Sequence, residues 1–145
     1  MFGSLHGHIQ DLLSFFKWYN APSLKQSGDL RYMNYLFLGN YIDRGAHGFE
    51  VTMLLLALRV TCSSRIFLLQ GEHECRGVNY ELGFRDELVN RFGDNDGHTI
   101  WSNFNHVFEM LPTLARIDHN ICAVGSNFNH ENNIFSRDHI ITTSS

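Results

Sequence analysis

Apolar residues fall at Ile9, Leu12, Leu13 and Phe16, the spacing of one helical face, so His8 to Tyr19 is predicted to be an amphipathic helix. Asn20 to Met33 mixes Pro22, Ser23, Ser27 and Gly28 without period and reads as a loop. Tyr35-Leu36-Phe37-Leu38 and Ile66-Phe67-Leu68-Leu69 are short unbroken apolar runs of the kind that form strands buried on both faces. Between them, Phe49 to Val60 is apolar nearly all round, which predicts a helix covered on most sides. Tyr80 to Phe92 carries one or two short helices around Gly83. Ile100, Trp101, Phe104, Val107 and Phe108 stripe a further helix that Thr99 would cap and Pro112 would end. Leu114 to Ile117 and Ile121 to Val124 flank Asp118-His119-Asn120, a hairpin pattern. From Ser126 onward Asn and Ser prevail without period, and poor order is expected there.

The order strand, helix, strand, helix, strand implies parallel crossovers. In such sheets the loops leaving the carboxyl ends of the strands converge on one site, so widely spaced motifs can meet. There is no repeat and no linker, so the chain divides into one domain over 1–125 and a polar tail over 126–145.

Composition narrows the class. A chain of 145 residues with 43% hydrophobic content has room for one packed core. A net charge of −4 supplies no basic face for nucleic acid or membrane surfaces. Cys62, Cys75 and Cys122 are odd in number and share no close spacing, which fits neither a disulfide framework nor a zinc knuckle. No apolar run approaches the roughly 18 residues of a membrane span. An intracellular setting, cytoplasmic or nuclear, is the expectation.

The chemistry sits in three motifs that each open on glycine: Gly3-Ser4-Leu5-His6-Gly7, Gly39-Asn40-Tyr41-Ile42-Asp43-Arg44-Gly45 and Gly71-Glu72-His73-Glu74. In order they resemble the Gly-Asp-x-His-Gly, Gly-Asp-x-x-Asp-Arg-Gly and Gly-Asn-His-Glu signatures of the phosphoprotein phosphatase family of serine/threonine phosphatases. Phe104-Asn105, Phe108, Leu111-Pro112, Ala115 and Ile117 match the downstream scaffold. Ser27-Gly28-Asp29-Leu30, Phe84-Arg85 and Arg91-Phe92-Gly93-Asp94 are closest to the subgroup with Kelch repeats upstream, although no such repeat occurs here. The resemblance implies an α/β fold, a metallophosphoesterase-type (calcineurin-like) βαβαβ half-sandwich. It covers only the front part of the catalytic domain, so a truncated fold is expected, with its first strand cut to Met1-Phe2 and its partner sheet absent.

It also implies a mechanism. Two divalent metals, manganese, iron or zinc, hold a hydroxide that attacks phosphorus on phosphoserine or phosphothreonine proteins. His6 matches a metal ligand, while Ser4 and Asn40 stand where the family has aspartates, the second of them bridging both metals. Glu72 replaces the asparagine ligand, and Val124-Gly125-Ser126 aligns with a His-Gly-Gly ligand segment. His73 and Asp43 match the general-acid dyad, and Arg44 a phosphate-gripping guanidinium, although Asp43 and Arg44 also admit a plain ion pair that stiffens the turn. Glu74 reads as a brace of the loop. Two carboxylates lost against one gained leave two divalent ions poorly neutralised, and an amide nitrogen is a donor, not a ligand. Metals are therefore expected to be absent or weakly bound. The resulting reading is a phosphatase-like domain with little or no activity that binds phosphoproteins or a regulatory partner. The alternatives are a working hydrolase around His6, Asn40 and Glu72, and a non-functional fragment or incomplete gene model.

Overall fold

The computed structural model describes residues 1–19, 33–118, 120–126 and 140–143. Residues 20–32, which hold nearly all of the expected loop and the Ser27-Gly28-Asp29-Leu30 segment, lie outside them, as do His119, 127–139 and 144–145.

Helix α1 spans Ile9–Tyr19, one residue inside the predicted start. Its Leu12 and Phe16 are buried, whereas Leu13 faces out at 45% exposure. Strand β1 is Tyr35–Phe37 and β2 is Ile66–Leu68; they pair in parallel with Tyr35 opposite Ile66. Phe2 adds a parallel bridge to Phe37, so the motif chain begins against the sheet. Helix α2, Gly48–Thr61, supplies the crossover between the two strands. A single 3-10 turn at Glu72–Glu74 leads into α3, Arg76–Glu81, and α4, Phe84–Phe92.

Helix α5, Asp94–Glu109, differs from expectation at its start. Thr99 does not cap it but lies inside it, its hydroxyl donating to Asn95 O at 2.9 Å. Gly93 at φ 83° precedes the first turn, where Asp94 and Asp96 suit the helix dipole. A Cβ on Gly97 would stand 2.5 Å from Val89 Cα, so glycine lets α5 cross α4 at backbone range and extends the helix by a polar turn.

Strands β3, Leu114–Ile117, and β4, Ile121–Val124, form the predicted antiparallel hairpin, turning at Asp118 with φ 51°. The pair does not extend the first sheet. It joins β5, Ile140–Thr143, which runs parallel to β3, in a second sheet of order β4-β3-β5. The expectation of a missing partner sheet is thereby corrected, since this one faces the first across Leu36, Leu69, Ala115 and Ala123. The α/β metallophosphoesterase architecture stands: β1 buries Tyr35 and Phe37 against the helices and Leu36 against the second sheet. Phe84, Phe104 and Phe108 fill the helical side, with ring centroids 5.5 to 6.1 Å apart.

On α2, Val51 and Leu55 are sealed while Met53 and Val60 are 46% and 82% exposed. Leu55→Ala is expected to cost about 2–5 kcal/mol through an unfilled cavity, and Val60→Gln less than about 0.5 kcal/mol. Urea denaturation of the two variants checks the contrast.

Candidate functional site

Each motif occupies the turn that leaves a strand, and the backbone there is forced into unusual geometry. His6, Asn40, Asp43 and Arg44 all have positive φ, between 44° and 64°. Side chains other than glycine adopt that region at a cost, so surrounding contacts must hold it. The second motif is fastened to the first by Leu5 N and His6 N, both donating to Asn40 O at 2.9 and 2.8 Å. It is fastened to the third by Glu74, whose carboxylate accepts from Asn40 N at 2.7 Å, Tyr41 N at 2.8 Å and Gly71 N at 2.8 Å. The brace read for Glu74 is thus its role in the fold. Burial pushes its carboxyl above the ordinary 4.5, against the downward pull of the three backbone donors.

His73 Nδ1 lies 2.7 Å from Asp43 Oδ2, with both side chains out of solvent. The other carboxylate oxygen of Asp43 accepts from Phe84 N at 2.8 Å, so the start of α4 fixes its rotamer. A donating Nδ1–H fits this pairing and assigns Nε2 to any ligand. The alternative ion pair between Asp43 and Arg44 is not formed: Asp43 turns inward to His73, and Arg44 is exposed with no ion pair among the described residues. Gly45 N donates to Asp43 O at 2.7 Å, so Arg44 is the middle of a γ-turn that thrusts it outward.

His6 packs edge-on against His73, centroids 4.7 Å apart, and its Nδ1 sits 3.4 Å from Ile42 O. Desolvation lowers its pKa below 6.5, with the charges of His73 and Arg44 acting in the same direction. His6, Arg44, Asp43 and His73 therefore share one electrostatic neighbourhood.

The remaining positions are brought near but not into a ligand cage. Ser4 and Glu72 are exposed, and Val124 is half-buried in β4 opposite Leu114. Asn40 is buried, its Nδ2 donating to Ser4 Oγ at 3.2 Å and its Oδ1 accepting from His73 N at 3.2 Å. Gly125 and Ser126 dock on the loops, with Ser126 N donating to Leu38 O at 3.3 Å. No group of three or more His, Cys, Asp or Glu that could hold a metal ion occurs among the described residues. The donor set of hydroxyl, amide, a single half-buried imidazole and the one exposed carboxylate of Glu72 does not fit two hard divalent cations, which need several carboxylates to offset their charge.

Sequence reasoning missed one supporting network. Asn79 Nδ2 donates to His73 O at 3.2 Å and to Asn105 Oδ1 at 2.9 Å, while its Oδ1 accepts from Trp101 Nε1 at 2.7 Å. Buried asparagines carry no motif, and only the match of Asn105 to the family scaffold hinted at a role.

This loop-at-strand-end geometry is that of metallophosphoesterases. The calcineurin-like phosphoesterase family profile matches residues 2–143, and the chain belongs to that family, whose members work with two metal ions. It is 41% identical over 134 residues to serine/threonine-protein phosphatase BSL2 of Arabidopsis thaliana, covering 90% of this chain and 13% of that protein. It is 37% identical over 122 residues to a Schizosaccharomyces pombe protein named as a candidate serine/threonine-protein phosphatase, covering 84% of this chain and 36% of that one. A solved Saccharomyces cerevisiae serine/threonine phosphatase, described as similar to human phosphatase PP5, superposes with a TM-score of 0.66 at 28% identity. That match covers 79% of this chain and 35% of the yeast chain, so this chain spans well under half of each of these proteins.

Glu74→Gln is expected to cost about 1–3 kcal/mol, because an amide NH2 must face at least one backbone donor that the carboxylate satisfied. A folded-state pKa above 4.5 means the Glu74 contribution is full at acid pH and declines as pH rises from 4.5 through the folded value. The variant should lose that segment of slope in a pH series of urea melts.

Proposed function

We propose that this chain is a phosphatase-like domain that binds phosphate monoesters of phosphoserine or phosphothreonine proteins with little or no hydrolysis. The observation that carries the reading is Asn40: its amide is committed at both ends inside the protein, to Ser4 and to His73 N, where a bridging ligand would have to face two metals. Arg44 meets the oxyanion first, its guanidinium exposed and carrying no ion pair among the described residues. Planar guanidinium N–H groups suit bidentate grip on phosphate oxygens. Half-buried His6 packs edge-on against His73, whose Nδ1–H is held by Asp43; Nε2 is left to the bound group, as an acceptor in the neutral ring and a donor when the imidazole is protonated. Proton delivery to a leaving oxygen remains chemically open to this pair, whereas nothing in the donor set generates a metal-activated nucleophile.

Titration calorimetry with a phosphoserine peptide should show binding that is insensitive to EDTA and about tenfold to a hundredfold weaker in Arg44→Ala, the loss of a charge-assisted contact. Purified protein should carry well under one equivalent of manganese, iron or zinc. The reading is overturned by manganese-dependent turnover of an aryl phosphate that disappears in His73→Ala; that outcome establishes the hydrolase built on His6, Asn40 and Glu72.

A further inference from the structure

The residues that meet between the three motif loops fail to match the family's ions but match one another. Asn40 Nδ2 donates to Ser4 Oγ and Asn40 Oδ1 accepts from His73 N, each at 3.2 Å. One amide thus touches the first and third loops while its own backbone N–H is held by Glu74 at 2.7 Å. We propose that the Ser4–Asn40–His73 bridge is a protein-only cross-link that holds the three loops together in place of metal. The substitutions at 4 and 40 then act as a pair. Aspartates at both positions would bring two carboxylates to hydrogen-bond distance, a repulsion that a cation must neutralise. With serine and asparagine, the amide donates to the hydroxyl and accepts from the His73 amide, and no charge is left over. The bridge goes beyond the oxyanion reading and stands whether or not Arg44 binds phosphate.

The test is a double-mutant cycle in the full chain. Asn40 has φ 55°, so its side chain is removed as Asn40→Gly, because alanine would add backbone strain of its own. Ser4→Ala removes the partner. Each single change is expected to lower Tm by about 2–6 °C, and the double variant by less than the sum, because both cut the same hydrogen bond. Asn40→Gly should also speed hydrogen exchange at the His73 amide, which Ser4→Ala leaves slow. Wild-type Tm should be equal in EDTA and in manganese. Ser4→Asp/Asn40→Asp should melt below wild type in EDTA and recover when manganese is added. A wild-type Tm that rises with manganese, or an additive cycle, overturns the proposal. If the double aspartate variant folds under neither condition, the cycle and the His73 amide rate give the decision.

Discussion

A carboxylate placed out of water is unfavourable unless donors surround it, and Glu74 is placed out of water among three backbone N–H groups. Those donors belong to the turns that follow β1 and β2, so one side chain ties two strand ends whose own pairing is only three residues long. Sheets this short have little ladder to keep their exits aligned. The left-handed residues of the second motif persist because Glu74 and the first loop hold the chain on both sides of Asn40. Everything at the site inherits its position from that fastening.

His73 illustrates how far the inheritance reaches. Its backbone N–H is held by Asn40, its carbonyl by Asn79, and its ring by Asp43. Asp43 in turn is set by the first residue of α4, and Asn79 by Trp101 on α5. At the far side, Glu87 accepts from Gly48 N and Phe49 N, so the same α4 also caps the start of α2. A ligand touching His73 would therefore push against three helices, and the imidazole has little freedom to change its tautomer or tilt.

Much of this was readable in the chain because periodicity reports burial. The strand runs at Tyr35 and Ile66, the helix of Phe49 to Val60 and the hairpin about Asp118 all appear where the apolar pattern put them. The first turn of α5 did not, because Asp94-Asn95-Asp96-Gly97-His98 has no apolar stripe and its reason is a backbone crossing against Val89. Strand β5 was hidden in another way. Ile140-Ile141-Thr142-Thr143 is β-branched throughout, a strand signal outweighed by the Asn and Ser before it. At the site, the pairing of His73 with Asp43 followed from the motifs, whereas the double commitment of the Asn40 amide needed coordinates, since sequence says which groups are present and not which ones face.

Gly39 and Gly71 lie back to back at the exits of β1 and β2, where a Cβ on Gly39 would overlap Gly71 N and Cα. Contact at that range leaves no slack for either loop to slide by a residue against the other. Shape at this site is thus written in positions that have no side chain, and chemistry in positions that do. The two can drift separately: side chains can be exchanged one by one on a mould that stays the same, so an outline that still looks catalytic carries no information about whether the reaction survives.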